Sequence, residues 1–181
     1  ELPPQPDDAA WPEDGVRLGD AEDRAQWPDP FVRYQPEADE IAASAAASPP
    51  LRYLHCPIVD LSTPQMPQLL SLLDEIVQHY ESGGQAAYVH CWGGRGRAGL
   101  VGACLLSLLR PELTAEAVLD EVQAGYDSRK GADAMPSALK RSPQTLPQRK
   151  FVSSFVSAVR ASRRYDNDLD MQAGGMPKGY L

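Results

Sequence analysis

The chain has 181 residues, 43% of them hydrophobic, and its 25 acidic and 17 basic residues leave a formal net charge of -8. That is enough chain for one domain with a sizeable core, and the acidic balance argues against nucleic acid as a partner. The longest nearly apolar run, Leu100 to Leu109, is broken by Gly102 and Ser107 and reaches only about half of the roughly 20 residues that a membrane-spanning helix needs, so a soluble protein without a transmembrane segment is expected.

No basic-then-apolar leader stands at the front, and three cysteines cannot all pair with one another. An intracellular, reducing compartment is therefore expected, the cytoplasm first and an organelle after N-terminal processing second. The chain opens on Glu1 rather than Met, as a processed protein or a fragment would.

Residues 1–50 hold 12 acids against 3 bases and nine of the 17 prolines, and they end in an Ala/Ser run from Ala42 to Ser48 followed by Pro49-Pro50. Such a composition buries too little apolar surface to offset the entropy of ordering, so an extended acidic segment is expected over 1–50. Within it, Gly15-Val16-Arg17-Leu18 and Phe31-Val32-Arg33-Tyr34 are each long enough for an edge strand, and Trp11 and Trp27 for surface anchors. Residues 51–181, with 14 bases and 13 acids, are nearly neutral. The folded domain is expected over 51–162, with an extended tail over 163–181.

Leu51-Arg52-Tyr53-Leu54-His55 is a short β-type run ended by Cys56-Pro57. After a loop from Ile58 to Thr63, Met66, Leu69, Leu70, Leu73, Ile76, Val77 and Tyr80 mark one face of a helix that Gly83-Gly84 stops. Ala86-Ala87-Tyr88-Val89-His90 reads as a buried strand running into the glycine-rich Cys91–Arg97. Ala98 to Leu109 is apolar nearly all round, as in a central helix, and Arg110-Pro111 ends it. Thr114 caps a further helix with a Leu113–Val118 staple and a close at Gly125. Thr145 and Gln148 have capping-box spacing before a last helix, whose apolar face is Phe151, Val152, Phe155, Val156 and Val159.

Five residues, three of them glycine, separate Cys91 from Arg97 between a strand and a helix start. Glycines let backbone N–H groups turn inward into an anion nest, and the helix dipole adds positive potential there. Arg97 is placed to chelate two oxygens of a phosphate with its planar fork. The same field favours the thiolate of Cys91 over the thiol and arms a nucleophile. Taken singly, a cysteine after a strand, a glycine-rich turn and a Cys-x5-Arg spacing are weak signals. Their combination in strand-to-helix context specifies a phosphate-binding cysteine loop.

His90-Cys91-Trp92-Gly93-Gly94-Arg95-Gly96-Arg97 resembles the active-site loop of the protein-tyrosine and dual-specificity phosphatase superfamily, most of all its small branch that includes the cyclin-dependent kinase-associated phosphatases. The resemblance covers about Leu51 to Ala158. It implies an α/β fold, a central and mostly parallel sheet flanked by helices, with the site at the carboxyl end of the strand holding Val89. It also implies a phosphate-monoester hydrolase without metal or cofactor, with Cys91 as nucleophile, Trp92, Gly93, Gly94, Arg95 and Gly96 as the phosphate-binding backbone, and Arg97 as its clamp. Cys56-Pro57-Ile58-Val59-Asp60 resembles the family's general-acid loop, 31 residues before Cys91, so Asp60 is the candidate acid. The alternative for Asp60 is a capping role before Ser62-Thr63-Pro64, and Asp74 is disfavoured by its place in a helix. Ser142-Pro143-Gln144-Thr145-Leu146-Pro147-Gln148 resembles the family segment that brings a glutamine near the phosphate to orient the hydrolytic water. Gln144 is the first candidate, Gln148 is read as the capping partner of Thr145 ahead of that role, and His90 takes a buried hydrogen-bonding role in support of the loop.

Two departures from the pattern matter. Ala98 stands where the family has Ser or Thr, whose hydroxyl helps the sulfur leave in the second step; losing such a bond is worth on the order of 1.5–3 kcal/mol, or roughly one to two decades in rate. Residues 1–50 also lack the strands the family places first, so the sheet is expected to be trimmed. A phosphatase, slowed or not, acting on a phosphorylated protein or another phosphate-bearing ligand, is therefore set against a pseudophosphatase that binds phosphate or scaffolds a larger assembly through its extended ends. Phosphotyrosine, phosphothreonine, a phosphoinositide and an RNA 5′ end all stay open as substrates. The basic stretch 129–164 reads as a solvated face or a surface for an acidic partner or phosphorylated substrate.

Overall fold

The computed structural model describes residues 11–17, 25, 29–45, 51–83, 86–132, 136 and 140–172, the last nine by backbone alone. The chain divides into two compact units, 1–57 and 58–181.

In the first unit the two runs expected to be edge strands meet each other. Val16 and Phe31 form an isolated antiparallel bridge, with N···O distances of 2.8 and 2.9 Å. Leu18, Trp27 and 46–50 lie outside the described residues, whereas Trp11 lines a shallow pocket with Val32 and Arg33. A helix, α1 (Gln35–Ser44), corrects the expectation of a wholly extended segment. Pro36 presets its first turn and Glu37 favours its positive end, while Ala38, Ala42 and Ala43 are strong helix formers. Tyr53 fastens it: the phenol donates to Asp39 Oδ1 at 2.9 Å, and the ring meets Tyr34 edge-on at 6.3 Å. Partial burial, and then this bond, push the Tyr53 hydroxyl up to about 12.

Among the described residues of the second unit there are four α-helices. α2 (Met66–Glu81) buries Leu69, Leu73 and Ile76, a narrower stripe than expected because Met66 and Leu70 are exposed, and the left-handed Gly83 follows it. α3 (Arg97–Leu109) buries residues on every side and packs against α2, α4 (Ala115–Asp127) and α5 (Leu146–Gln172). Thr114 caps α4 by accepting from Ala117 N at 3.2 Å, and Val118 of the staple is fully buried. Gly125 does not close that helix. It lies inside, and the helix runs on to Asp127 because the Ser128 and Arg129 amides still find Ala124 and Tyr126 carbonyls. α5 buries Val152, Phe155 and Val156 and continues to Gln172, past the expected start of the extended tail. Elongating an existing helix adds one bond per residue fixed, so the backbone stays helical after its apolar period has ended. Residues 173–181 lie outside those described.

Among the described residues no strand is formed, so the expected sheet is not seen there. Leu51–His55 and Ala86–His90 run without a ladder, and Tyr88 is 89% exposed. Such short runs become strands only through cross-strand pairing and a covered face. No helix among the described residues is long and apolar enough to cross a membrane.

Candidate active site

Residues 91–96 form an irregular loop that leads directly into α3, with Gly96 as N-cap and no side-chain cap. The first-turn N–H groups of α3 therefore lack an intrahelical partner on the side where the loop lies, an arrangement that suits an anion. Gly94 turns the loop with φ at +65°, a conformation costly for any side chain, and a Cβ there would fall 2.5 Å from Arg129 Nη1. A Cβ on the buried Gly96 would meet Gln144 Oε1 at 3.2 Å and Gln148 Nε2 at 3.4 Å. Both glutamines thus lie against the loop.

Asp60 and Arg97 come together. Asp60 Oδ1 lies 3.2 Å from Arg97 Nε, with the two side chains 69% and 28% exposed. The buried Nε–H is not aligned for a hydrogen bond, so the contact is a charge pair; Arg97 Nη1 reaches Ile58 O at 3.5 Å. Asp60 does not cap α2, which starts later, after Gln65. Asp74 lies on the exposed face of α2, where its Oδ2 accepts from Gln78 at 2.7 Å.

The turn carrying Asp60 is held from α5. Leu61 has φ at +61°, a left-handed conformation that costs a non-glycine residue about 1–3 kcal/mol. Its carbonyl accepts from Thr145 Oγ1 at 3.2 Å, and Ser62 O accepts from Gln148 Nε2 at 2.9 Å. The capping box is formed: Thr145 N donates to Gln148 Oε1 at 3.1 Å and Gln148 N to Thr145 Oγ1 at 3.3 Å. One pair of side chains therefore caps a helix and ties down the Asp60 turn. Arg149 donates to Pro143 O and Gln144 O at 2.9 and 3.0 Å, which fixes the backbone of Gln144. Burial, with Arg141 nearby, lowers its guanidinium from the ordinary value.

His90 departs from its expected burial. It is exposed, stacked on Tyr88 at 5.3 Å, with Nδ1 3.4 Å from Cys91 O, because 86–90 form no ladder and the side that carries Tyr88 and His90 is uncovered among the described residues. Trp92 is 70% exposed, and Ala98 is buried in the first turn of α3. Cys56, Cys91 and Cys104 are all free thiols; burial raises Cys56 and pushes Cys104 up to about 12. Among the described residues no cluster of three or more His, Cys, Asp or Glu could hold a metal ion.

Arg129 and Ser142 were not legible as site residues. Arg129 Nη1 donates to Gly93 O at 3.3 Å and Ser142 Oγ to Arg95 O at 2.9 Å, across 36 and 47 positions. The one sequence signal was the basic stretch starting at Arg129, read as a solvated face or as a surface for an acidic partner or phosphorylated substrate.

Residues 34–152 match the family described as "Swiss Army Knife protein, DSP-PTPase phosphatase domain", well over half of the chain. The human protein "Cyclin-dependent kinase inhibitor 3" is 32% identical over 110 residues, covering 59% of this chain and 44% of that relative. The chain thus spans less than half the length of the curated relative it matches. No solved structure matches it.

Proposed function

The chain belongs to the DSP-PTPase phosphatase domains of the Swiss Army Knife family, and from that premise we propose that it is a cysteine-dependent phosphate-monoester hydrolase acting on phosphorylated protein. Membership implies the α/β dual-specificity phosphatase fold. A mostly parallel sheet, trimmed at the front and ending behind Cys91, is the finer form proposed here.

The observation that carries the proposal is the meeting of Asp60 with Arg97 at 3.2 Å, at the first residue of α3, directly after the Cys91 loop. In the first step the substrate phosphate takes Asp60's place on Arg97, and the Cys91 thiolate attacks phosphorus. The S–P bond forms as the P–O bond to the leaving group breaks, and Asp60, acting in its acid form, gives its proton to the departing oxygen. Arg97 and the N–H groups of Trp92 to Gly96 take up the charge of the phosphoryl oxygens. In the second step water, oriented by Gln144 and deprotonated by Asp60, attacks phosphorus. The S–P bond breaks, and phosphate and the thiolate are released. Gln144 is supported in this role by its approach to Gly96. His90, for all its exposure, supports the loop through its contact with Cys91 O.

A second reading is favoured by Ala98, which brings no hydroxyl to the first turn of α3. In it the chain binds phosphate groups without useful turnover, as a pseudophosphatase within a larger assembly, a role that suits a relative named as a kinase inhibitor. Three free thiols support an intracellular, reducing location. Turnover of a small aryl phosphate, with Cys91→Ser as control, separates the two readings. The enzyme predicts steady release of phenol that Cys91→Ser abolishes; phosphate binding without turnover would select the second.

A further inference from the structure

Three carbonyls of the Cys91 loop, at alternate residues, face donors. Cys91 O lies 3.4 Å from His90 Nδ1, Gly93 O accepts from Arg129 Nη1 at 3.3 Å, and Arg95 O accepts from Ser142 Oγ at 2.9 Å. In a planar trans peptide the C=O and the following N–H point in opposite directions, and Ser142-Pro143 is the only cis bond among the described residues. Drawing the carbonyls of Gly93 and Arg95 toward Arg129 and Ser142 therefore turns the N–H groups of Gly94 and Gly96 the other way. The left-handed φ of Gly94 is what such a flipped plane requires.

Both donors rest on one face of α4. Gln123 and Tyr126 are three residues apart and share that face. Gln123 Oε1 accepts from Ser142 N at 2.8 Å, and its Nε2 donates to Lys140 O at 2.8 Å, which fixes the chain that carries the hydroxyl. The buried Tyr126 ring lies 4.1 Å from the Arg129 guanidinium carbon and holds the fork in a stacked orientation. Ser142 is only 4% exposed, so water competes little for the Arg95 carbonyl.

We propose that Arg129 and Ser142 are positioning residues which hold the loop in its anion-binding form by tying its carbonyls outward, with α4 as their support. This rests on the Cys91 loop being a phosphate site, as proposed above. Neither residue needs to touch the substrate.

The test uses the full chain and inorganic phosphate as probe, read as a competitive inhibition constant against an aryl phosphate and as direct binding to the Cys91→Ser protein. Ser142→Ala changes no charge and removes only one oxygen. It should weaken phosphate roughly tenfold and lower kcat/KM at least as far, while the melting temperature falls by only a few degrees and the protein stays folded. Arg129→Met should act in the same direction, as should Gln123→Met, which frees Ser142 without touching the loop. Unchanged phosphate affinity in Ser142→Ala and Gln123→Met would overturn the proposal, even if Arg129→Met binds less, because the lost charge alone would explain that. If the unsubstituted protein binds no phosphate at all, the site itself is refuted and this inference with it.

Discussion

Asp60 and Arg97, 37 positions apart in sequence, form a charge pair at 3.2 Å. On the reading proposed above, the Arg97 guanidinium is the one that a substrate phosphate would claim; the Asp60 side chain is 69% exposed, so solvent screens the pair from that side. Its contribution to stability is accordingly small, within about 1 kcal/mol, while its chemical consequence is large.

Asp60→Asn should therefore leave the unfolding free energy within about 1 kcal/mol of the unsubstituted protein. It should lower kcat by about a hundredfold or more for substrates with a poor leaving group, and much less for a nitrophenyl ester that leaves unaided. Steady-state kinetics across leaving groups of graded basicity checks this; a uniform loss across the series would remove Asp60 from the acid's role.

Ala98→Ser restores a hydroxyl at the start of α3. Steady turnover should rise by roughly one to two decades, with a smaller change in the initial burst of alcohol product. Rapid-quench kinetics separates the phases, and equal effects on both would contradict a slowed second step.

The helices were legible where an apolar face is buried. Leu69, Leu73 and Ile76 announce α2, and the Thr145–Gln148 spacing announces the start of α5, because local side chains determine both. α1 escaped because it buries no residue and so leaves no stripe, and the end of α5 because its backbone outlasts its apolar period. Cys91, Arg97 and Asp60 could be named as candidates from the family motifs they resemble, and the structure joins the last two of them. Arg129 and Ser142 could not, since each reaches the loop through a contact that no local pattern encodes. His90 reads as buried only if the run before it pairs, and among the described residues it does not.

Gln148 is fully buried and bonds both Thr145 and the Ser62 carbonyl. Gln148→Ala should cost about 2–3 kcal/mol, since it removes a cap and leaves a carbonyl unpaired. Loosening the turn that carries Asp60, it should also lower kcat, though less than Asp60→Asn does. Denaturant titration alongside kinetics checks both, and full stability with full activity would show the latch to be idle.

Thiol chemistry should single out Cys91. Cys104 is buried and its thiol is pushed up to about 12, and Cys56 is raised by burial, so both stay protonated at neutral pH and react slowly. Iodoacetate at pH 7 should carboxymethylate Cys91 first, and inorganic phosphate should protect it. Peptide mass mapping over a time course decides this; earlier labelling of Cys56 or Cys104 would count against an activated Cys91.

The covalent intermediate gives the most direct test. Acid quenching of the protein during turnover of a radiolabelled phosphate monoester should trap phosphate on the peptide carrying Cys91, in an amount approaching one per chain because Ala98 slows its hydrolysis. Cys91→Ser should trap none and release no product. Turnover that persists in Cys91→Ser, or that proceeds with no label on the Cys91 peptide, would contradict cysteine-dependent catalysis.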